Sequence, residues 1–318
     1  MSKSPSRALL IVATLGLFLL WSNSFVAMSY LLGSERHPAQ MDWISLTIGR
    51  FAPVTIVAGL YLGIARRSQA ILVFRHHFWR CLASGFLGVT VYSFCLYWGI
   101  AHGIPAPIAS LLTALSPLYL MILGALVLRE PLTVRKMVGF GVALAGLSVV
   151  AVARGGFSAV ALAPIAIAAV APLVWAIQTT LSKSISRDVP ADVWTASYLV
   201  LGGLPMLLAL PWFGGAEMLA LNAAGWASLA FLSGACTLLG FALWSWLLVY
   251  LPASTLGFTV FLNPPLAMLS QWTLARVFPD TFVFALSQDE LAGCGLVLVG
   301  LAVAVQPGGR RLAALEAT

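Results

Sequence analysis

The sequence has 318 residues, of which 61% are hydrophobic and only 8% are charged, and its mean hydropathy is +0.98. Soluble domains carry roughly 25% charged residues, so too few polar side chains remain here to cover a water-facing surface. The composition therefore excludes a soluble globular protein and indicates an integral membrane protein. The formal net charge is +7, but no basic stripe with interleaved aromatic residues accompanies it, so we expect no nucleic-acid partner.

The apolar runs are long and lack the alternation of membrane β-strands, which predicts an all-α polytopic membrane protein. About 20 residues cross a bilayer as a helix, and on that basis the apolar segments hold ten spans. Two of the segments are long enough for two spans each, with breaks near residues 102–105 and near Pro252. In chain order the segments are Ala8–Ser34, Trp43–Ala65, Cys81–Leu128, Met137–Ala153, Gly155–Ser182, Val193–Ala216, Met218–Ala275 and Leu291–Gly309.

Basic residues divide unevenly between the alternating loops. One side has only Arg36, Arg154 and Arg276, whereas the other side, which includes both termini, has thirteen Lys and Arg residues. Lys and Arg concentrate in cytoplasmic loops, which predicts that both termini are cytoplasmic in a bacterial-type inner membrane. The first apolar run lacks a small-residue cleavage site, so we interpret it as an uncleaved helix rather than a signal peptide. The thirteen basic residues of the predicted cytoplasmic side are Lys3, Arg7, Arg66, Arg67, Arg75, Arg80, Arg129, Arg135, Lys136, Lys183, Arg187, Arg310 and Arg311.

The cysteines lie in apolar stretches without the spacing of metal ligands, at Cys81, Cys95, Cys236 and Cys294. Such thiols usually pack as small hydrophobic side chains. We therefore expect no disulfide, no metal site and no cofactor. A membrane enzyme would need a cluster of His, Asp or Glu at membrane depth, and the sequence contains none.

Two proline-containing stretches indicate an internal repeat. Ser116-Pro117 in the first half corresponds to Asn263-Pro264 in the second, and Trp21 corresponds to Trp175. Glycines of the fifth and tenth spans match as well, namely Gly139, Gly141 and Gly146 with Gly293, Gly295 and Gly300. Each half has five spans, an odd number, so the second half enters the membrane in the opposite orientation. We predict two inverted five-helix repeats around a central cavity, covering residues 1–154 and 155–318.

The sequence resembles the EamA group of the drug/metabolite transporter superfamily over nearly its whole length. The resemblance rests on Trp21–Phe25, Arg50-Phe51, the glycines of the fifth span and above all Leu111–Thr133, which ends in Leu-Arg-Glu-Pro-Leu-Thr. The second half departs from the pattern, since Val277 stands where the repeat of Glu130 is usual. The resemblance implies ten helices, a central cavity and, in most members, export of small metabolites.

Arg50 is the sharpest candidate for a binding residue. A charge at mid-span costs at least about 2.5–3.5 kcal/mol, so it should face a cavity or a partner. One interpretation is an anchor for a carboxylate or phosphate, and the other is a structural role in bonding backbone carbonyls. The remaining candidates for substrate binding are amides and aromatic residues at membrane depth: Asn23, Gln178, Asn263, Trp21, Trp98, Trp175, Trp244, Tyr119 and Tyr198.

These features favour a transporter that moves a small polar or zwitterionic, amino-acid-like metabolite by alternating access, with Pro117 and Pro264 as hinges. The alternatives are a channel or lipid scramblase and, less favoured, a membrane enzyme. Apart from Arg50, no span carries Asp, Glu, Lys or His at mid-depth, so a simple carboxylate proton relay is unsupported. The expected partners are the substrate and the lipid bilayer. A monomer suffices for this function, and the oligomeric state stays open.

Overall fold

The computed structural model describes residues 5–33, 38–102, 104, 106–153, 162–213, 215–277 and 286–306. These residues form ten transmembrane segments, which confirms the predicted fold class. Eight segments are single helices long and apolar enough to cross a bilayer, and two are broken helices. The segments are α1 (Arg7–Leu32), α2 (Trp43–Ile64), α3 (Arg67–Ala101), α4 (Ala106–Thr113 and Ser116–Val127), α5 (Val134–Ala153), α6 (Leu162–Ile185), α7 (Ala191–Ala209), α8 (Ala223–Tyr250), α9 (Ala253–Phe258, Thr259–Leu262 and Asn263–Val277) and α10 (Gln288–Val305).

Helices α4 and α9 are interrupted at mid-span, beside the two prolines predicted to act as hinges. In α4 the chain turns at residues 114–115, and Ser116 and Pro117 begin the second piece. In α9 a short 3-10 segment precedes Asn263 and Pro264. Proline lacks an N–H donor, and it is tolerated in the first turn of a helix because that donor is unpaired there anyway. The two prolines therefore begin half-helices at mid-span instead of kinking continuous ones.

The crossing of α5 and α10 shows how the two repeats are related. A Cβ added to Gly139 would lie 2.5 Å from the carbonyl oxygen of Gly300, and one added to Gly146 would lie 2.5 Å from that of Gly293. The reverse contacts are as close, at 2.6 Å from Gly300 and 2.7 Å from Gly293. Gly139 thus packs against Gly300, the counterpart of Gly146, and Gly146 packs against Gly293, the counterpart of Gly139. A two-fold axis requires such an exchange. The helices cross antiparallel, which agrees with the predicted inversion.

A second symmetric pair of contacts joins α3 to α7 and α2 to α8. A Cβ added to Gly85 of α3 would lie 2.7 Å from the amide nitrogen of Gly202 in α7. At the equivalent place in the other repeat, Ser233 of α8 donates a hydrogen bond of 3.3 Å to the carbonyl oxygen of Gly49 in α2. The four helices α2, α3, α7 and α8 therefore pack around the same pseudo-two-fold axis as α5 and α10.

Both α3 and α8 contain a π-helical stretch close to these contacts, at Phe86–Val91 and Phe231–Leu239. Thr90 and Thr237 occupy equivalent positions there. Thr90 Oγ1 donates to the carbonyl oxygen of Gly202 at 2.6 Å, and Thr237 Oγ1 donates to that of Leu232 at 2.8 Å. π-Turns inside helices are rare and occur frequently at functional sites.

Contacts between connecting segments distinguish the two ends of the bundle. At one end Nη2 of Arg66 lies 2.8 Å from Oδ2 of Asp192, and Tyr61 donates a hydrogen bond to the same carboxylate. Hydrogen bonding to Tyr61 and the charge of Asp192 raise the pKa of Arg66. We call this end the basic side. At the opposite end the backbone N–H of Asp42 donates to Glu217. The connecting segments thus lie alternately at the two ends of the bundle, as the order of the spans predicts.

Some of the predicted features lie outside the described residues. They are the repeat boundary between residues 154 and 155, and the basic residues Lys3, Arg36, Arg154, Arg310 and Arg311.

Candidate functional site

A cavity of about 100 Å³ lies at mid-span, where α4 and α9 depart from regular α-helix. Helix α4 lines it with Thr113 and Ser116, and α9 lines it with Val260 and Asn263. This volume is well below the roughly 300–1,000 Å³ of a drug-sized pocket, so the cavity fits a small ligand. The other lining residues are Trp21, Ser24, Phe25, Met28, Arg50, Tyr92, Leu96, Tyr97, Pro172, Trp175 and Phe241.

Arg50 projects from α2 into this cavity with only 9% of its surface exposed. Its Nε donates to Oγ1 of Thr237 at 2.8 Å, and its Nη1 donates to the hydroxyl of Tyr97 at 2.6 Å. Within the described part of the chain, Arg50 has no carboxylate partner and its Nη2 makes no hydrogen bond. Within the described residues the guanidinium is bonded to side chains of α3 and α8 rather than to backbone carbonyls.

Aromatic rings from three helices close the cavity toward the basic side. Trp21 packs edge to face on Trp175, with ring centroids 5.6 Å apart, and Phe241 lies 5.4 Å from Trp175. Trp244 packs 5.4 Å from Trp21 and is fully buried. The indole Nε1 of Trp21 donates to the carbonyl oxygen of Cys236 at 2.9 Å, inside the π-helical stretch of α8. We call these four rings the aromatic floor.

Polar groups occupy the wall above the floor. Ser24, Ser116 and Asn263 all line the cavity, and Ser22 Oγ, which donates to the carbonyl oxygen of Phe18, lies 3.4 Å from Oδ1 of Asn263. Hydroxyl and amide groups of this kind act as both donors and acceptors. Together with Arg50 they offer a small polar ligand several hydrogen bonds without offering it a carboxylate.

A second closure lies further toward the basic side, between the end of α4 and the start of α9. Arg129 has a positive φ of 56°, which turns the chain after α4 and directs Glu130 across to the other repeat. The Glu130 carboxylate accepts hydrogen bonds from the backbone N–H groups of Ala253 at 2.6 Å and Ser254 at 3.0 Å, and from the Ser254 hydroxyl. Nζ of Lys136 donates to the same hydroxyl at 2.7 Å. Glu130 thus caps the N-terminus of α9, a favourable place for a carboxylate.

The sequence matches a known family twice, at residues 8–152 and 162–306, and the description of that family is the EamA-like transporter family. The first match covers α1 to α5 and the second covers α6 to α10. The chain belongs to the EamA-like transporter family. This confirms the resemblance drawn from Leu111–Thr133 and Arg50-Phe51.

Three curated relatives of this EamA-like transporter carry descriptions of transport. An uncharacterized transporter of Archaeoglobus fulgidus is 29% identical over 81% of this chain and 90% of its own. A probable terminal-alkyne amino-acid exporter of Streptantibioticus cattleyicolor is 28% identical over 68% of this chain and 70% of its own. A probable amino-acid metabolite efflux pump of Salmonella typhimurium is 26% identical over 66% of this chain and 71% of its own. A solved crystal structure shares the fold, with a TM-score of 0.71 at 24% identity, and covers 98% of this chain and all of its own.

Four of the predicted binding residues of this EamA-like transporter come together on the cavity wall, namely Trp21, Arg50, Trp175 and Asn263. Trp244 belongs to the floor but does not line the cavity. Tyr198 lies behind Phe241, with centroids 6.3 Å apart, and its hydroxyl is 3.5 Å from Ser245 Oγ. Pro117 and Pro264 directly follow the lining residues Ser116 and Asn263, and their role as hinges stays a prediction.

The structure places the other four predicted residues away from the cavity. Asn23 faces a groove on the outside of the bundle, between α1 and α8, and donates to the carbonyl oxygen of Leu19 at 2.8 Å. Gln178 is buried, with its amide donating to Ser182 at 3.0 Å. Trp98 stacks on His102 at 4.0 Å near the end of α3. Tyr119 is half-buried and packs against the hydrophobic core.

Several residues that line the cavity are not among the binding residues predicted from the sequence. Tyr97 is the most consequential of them, because it holds Arg50. Its only signal was a hydroxyl-bearing aromatic residue within a span, which several tyrosines share. Ser24 and Ser116 carried a clearer signal, since both belong to the stretches on which the family resemblance rests. The direction of each side chain around its helix is what the sequence did not provide.

Proposed function

We propose that this chain moves a small amino-acid-like metabolite out of the cell by alternating access, in a cytoplasmic membrane with both termini on the cytoplasmic side. Its membership of a transporter family gives the general activity. Two relatives described as an amino-acid exporter and an amino-acid metabolite efflux pump support the substrate class and the direction. The basic side of the bundle would be the cytoplasmic side, because Lys and Arg concentrate there.

The single observation that carries the proposal is the buried guanidinium of Arg50 on the cavity wall, without a carboxylate partner in the described residues. A charge in this position is costly unless something compensates it. A substrate carboxylate would do so, since a guanidinium presents its N–H donors in a fork that matches a carboxylate. Tyr97 and Thr237 hold two of the guanidinium nitrogens and leave Nη2 for the substrate.

The rest of the cavity favours a zwitterion or a monoanion over a cation. Its lining includes the rings of Trp21, Trp175 and Phe241, which attract an ammonium group through their faces and accommodate an apolar side chain. The residues that line it include no Asp or Glu. A substrate with a net positive charge would meet Arg50 without a compensating carboxylate, so we expect basic amino acids and polyamines to be excluded.

The arrangement of closures and repeats supports alternating access. The aromatic floor and the Glu130 cap close the basic side, while the lining of α1 extends from Trp21 to Met28, toward the opposite end. In an inverted repeat, exchanging the conformations of the two halves opens the closed side and closes the open one. The breaks of α4 and α9 beside the cavity would allow their half-helices to move separately.

The test is counterflow into proteoliposomes that contain the purified protein. A panel of radiolabelled neutral amino acids, their methyl esters, the corresponding amines and basic amino acids separates the carboxylate from the rest of the molecule. We expect at least one neutral amino acid to exchange, and its methyl ester and amine to be transported about tenfold or more slowly, since a charge-assisted hydrogen bond contributes about 1.5–3 kcal/mol.

Variants of Arg50 complete this experiment. Arg50→Ala should abolish counterflow, whereas Arg50→Lys should retain part of it because it keeps the charge. Thermal unfolding and gel filtration establish that both variants are folded. Equal transport of acid and ester, or full activity of folded Arg50→Ala, would overturn the carboxylate anchor. Lipid exchange between leaflets without counterflow would indicate a scramblase instead.

A further inference from the structure

Helix α3 has more residues than its neighbour α7 between the basic side and the contact of the two helices. The two helices run in the same direction and touch where Gly85 packs against Gly202. Helix α7 begins at Ala191, eleven residues before that contact, whereas α3 begins at Arg67, eighteen residues before it. These seven additional residues do not carry the start of α3 away from α7, because Arg66 pairs with Asp192 in the first turn of α7 and because Ala70 and Val73 are buried in the core. The first part of α3 therefore lies along the basic end of the bundle.

The charge pattern of α3 separates a membrane-spanning part from the first part of the helix. Residues 81–101 carry no charged side chain, and their helical length of about 31 Å matches a hydrocarbon core of about 30 Å. Residues 67–80 then lie at or beyond the membrane surface. We call them the basic arm. A kink at His77, with φ −129° and ψ 18°, lies within the arm and lets residues 67–76 take a direction different from that of the spanning part.

The exposed surface of the arm carries positive charge that nothing in the described structure neutralises. Arg67, Arg75 and Arg80 are exposed, and none of them makes an ion pair or a hydrogen bond within the described residues. The sequence contains no Asp or Glu between residues 43 and 129. Arg66 differs from these three arginines, because Asp192 neutralises it.

Large apolar side chains accompany these arginines. Ile71 and Leu72 are more than half exposed, Phe78 is 37% exposed, and Trp79 is 77% exposed. Side chains of this size on a segment outside the hydrocarbon core would be unfavourable in water. A helix that combines basic and large apolar residues is suited to the boundary between lipid headgroups and acyl chains, where Trp is also enriched.

We propose that the basic arm is a docking surface for anionic phospholipid headgroups of the leaflet on the basic side. Arg67, Arg75 and Arg80 bind the phosphates, while Leu72 and Trp79 enter the upper acyl region. Arginine suits this role because its fork binds phosphate through two hydrogen bonds. The same helix carries Tyr92 and Tyr97 to the cavity, so a bound lipid also fixes the start of a helix that lines the substrate site. The proposal does not depend on the identity of the substrate.

The experiment titrates the purified full-length protein, in phosphatidylcholine-containing micelles, with dioleoyl phosphatidylglycerol and follows the thermal unfolding midpoint. The arm variant replaces Arg67, Arg75 and Arg80 with Gln. A matched control replaces the exposed Arg7, Arg129 and Arg187 with Gln, which removes the same charge from the same side outside the arm. A third variant replaces the three arm arginines with Lys.

We expect phosphatidylglycerol to raise the midpoint of the wild-type protein. The half-saturating lipid concentration should rise about tenfold or more in the Gln arm variant, because each basic residue near an anionic surface contributes to binding. It should rise much less in the control, which keeps the arm arginines, and in the Lys variant, which keeps the charge of the arm. No response of the wild type to phosphatidylglycerol would overturn the proposal, and would leave a protein partner as the ligand of the arm. An equal loss in the control variant would overturn it too, because it would show a diffuse effect of charge.

Discussion

Trp21 of α1 and Trp175 of α6 occupy equivalent positions in the two repeats, and their rings touch edge to face with centroids 5.6 Å apart. Equivalent residues that touch each other must lie on the pseudo-two-fold axis, so the aromatic floor is where the two repeats meet. The two rings nevertheless differ in their polar contacts. The indole of Trp21 donates to the carbonyl oxygen of Cys236, whereas Trp175 makes no side-chain hydrogen bond within the described residues.

This difference predicts unequal effects of the same substitution. Trp21→Phe removes a hydrogen bond of about 1 kcal/mol and should lower the thermal unfolding midpoint by about 2 °C more than Trp175→Phe does. Both variants lose the same indole volume, so each serves as the control of the other. Unfolding of the purified variants in detergent measures the difference. Equal midpoints would show that the bond to Cys236 contributes nothing to stability.

The glycine crossing between α5 and α10 offers a second matched pair. Gly139→Ala would place a methyl group 2.5 Å from the carbonyl oxygen of Gly300, where only a backbone shift could relieve the clash. Such overpacking costs about 1–3 kcal/mol. At Gly141 an added Cβ meets nothing within 4 Å, so Gly141→Ala should be neutral or slightly stabilising, since Ala has the higher helix propensity.

Thermal unfolding of both glycine variants, together with gel filtration to detect loss of the folded monomer peak, tests the pair. A Gly139→Ala protein as stable as wild type would contradict the close approach of the two helices.

Much of this architecture followed from the sequence because membrane insertion depends on quantities that are local in sequence. The apolar runs gave the ten spans, the alternation of Lys and Arg gave the two sides, and Ser116-Pro117 with Asn263-Pro264 gave the repeat. The site followed only in part. Arg50 was identifiable because its charge is costly at mid-span. Asn23 and Gln178 were misplaced relative to the cavity, because the rotation of a helix around its axis depends on tertiary packing.

The π-helical stretches show the same limit. They change the register of the side chains along α3 and α8, so positions on either side of them do not follow a regular helical period. Tyr97 follows the π-helical stretch of α3, and Thr237 lies within that of α8. Sequence periodicity therefore gave no reason to place these two residues beside Arg50, although both bond to it.

The contact between Tyr97 and Arg50 predicts a kinetic effect on the proposed transport. Tyr97→Phe removes the acceptor of Nη1 and leaves Arg50 held through Thr237 alone, so the guanidinium should bind a carboxylate less well. We expect KM for a transported amino acid to rise about tenfold, the equivalent of one charge-assisted hydrogen bond, with a smaller change in the maximal rate. Initial rates of uptake into proteoliposomes provide both quantities.

Tyr119→Phe is the control for this experiment. It removes the same hydroxyl group from a tyrosine that lies within the membrane but outside the cavity. A KM that rises equally in both variants would count against a positioning role for Tyr97. Retention of wild-type KM in folded Tyr97→Phe would have the same meaning.

The Glu130 cap predicts that the two sides of the transporter are not equally easy to open. Glu130 bonds to the start of α9 through two backbone N–H groups and the Ser254 hydroxyl. Its counterpart in the second repeat is Val277, which has no side-chain acceptor for an equivalent bond on the opposite side. The state closed on the basic side should therefore be favoured in the wild-type protein.

Glu130→Gln should weaken this preference, because the neutral amide loses charge-assisted hydrogen bonds worth about 1.5–3 kcal/mol. Amide hydrogen exchange of Ala253–Phe258 should accelerate about tenfold or more, since each 1.4 kcal/mol changes an opening equilibrium about tenfold. Glu217→Gln is the matched control, because Glu217 also accepts from a backbone N–H, that of Asp42, but at the opposite end of the bundle. It should leave exchange in Ala253–Phe258 unchanged. Unaltered exchange of this segment in Glu130→Gln would show that the cap does not hold the basic side closed.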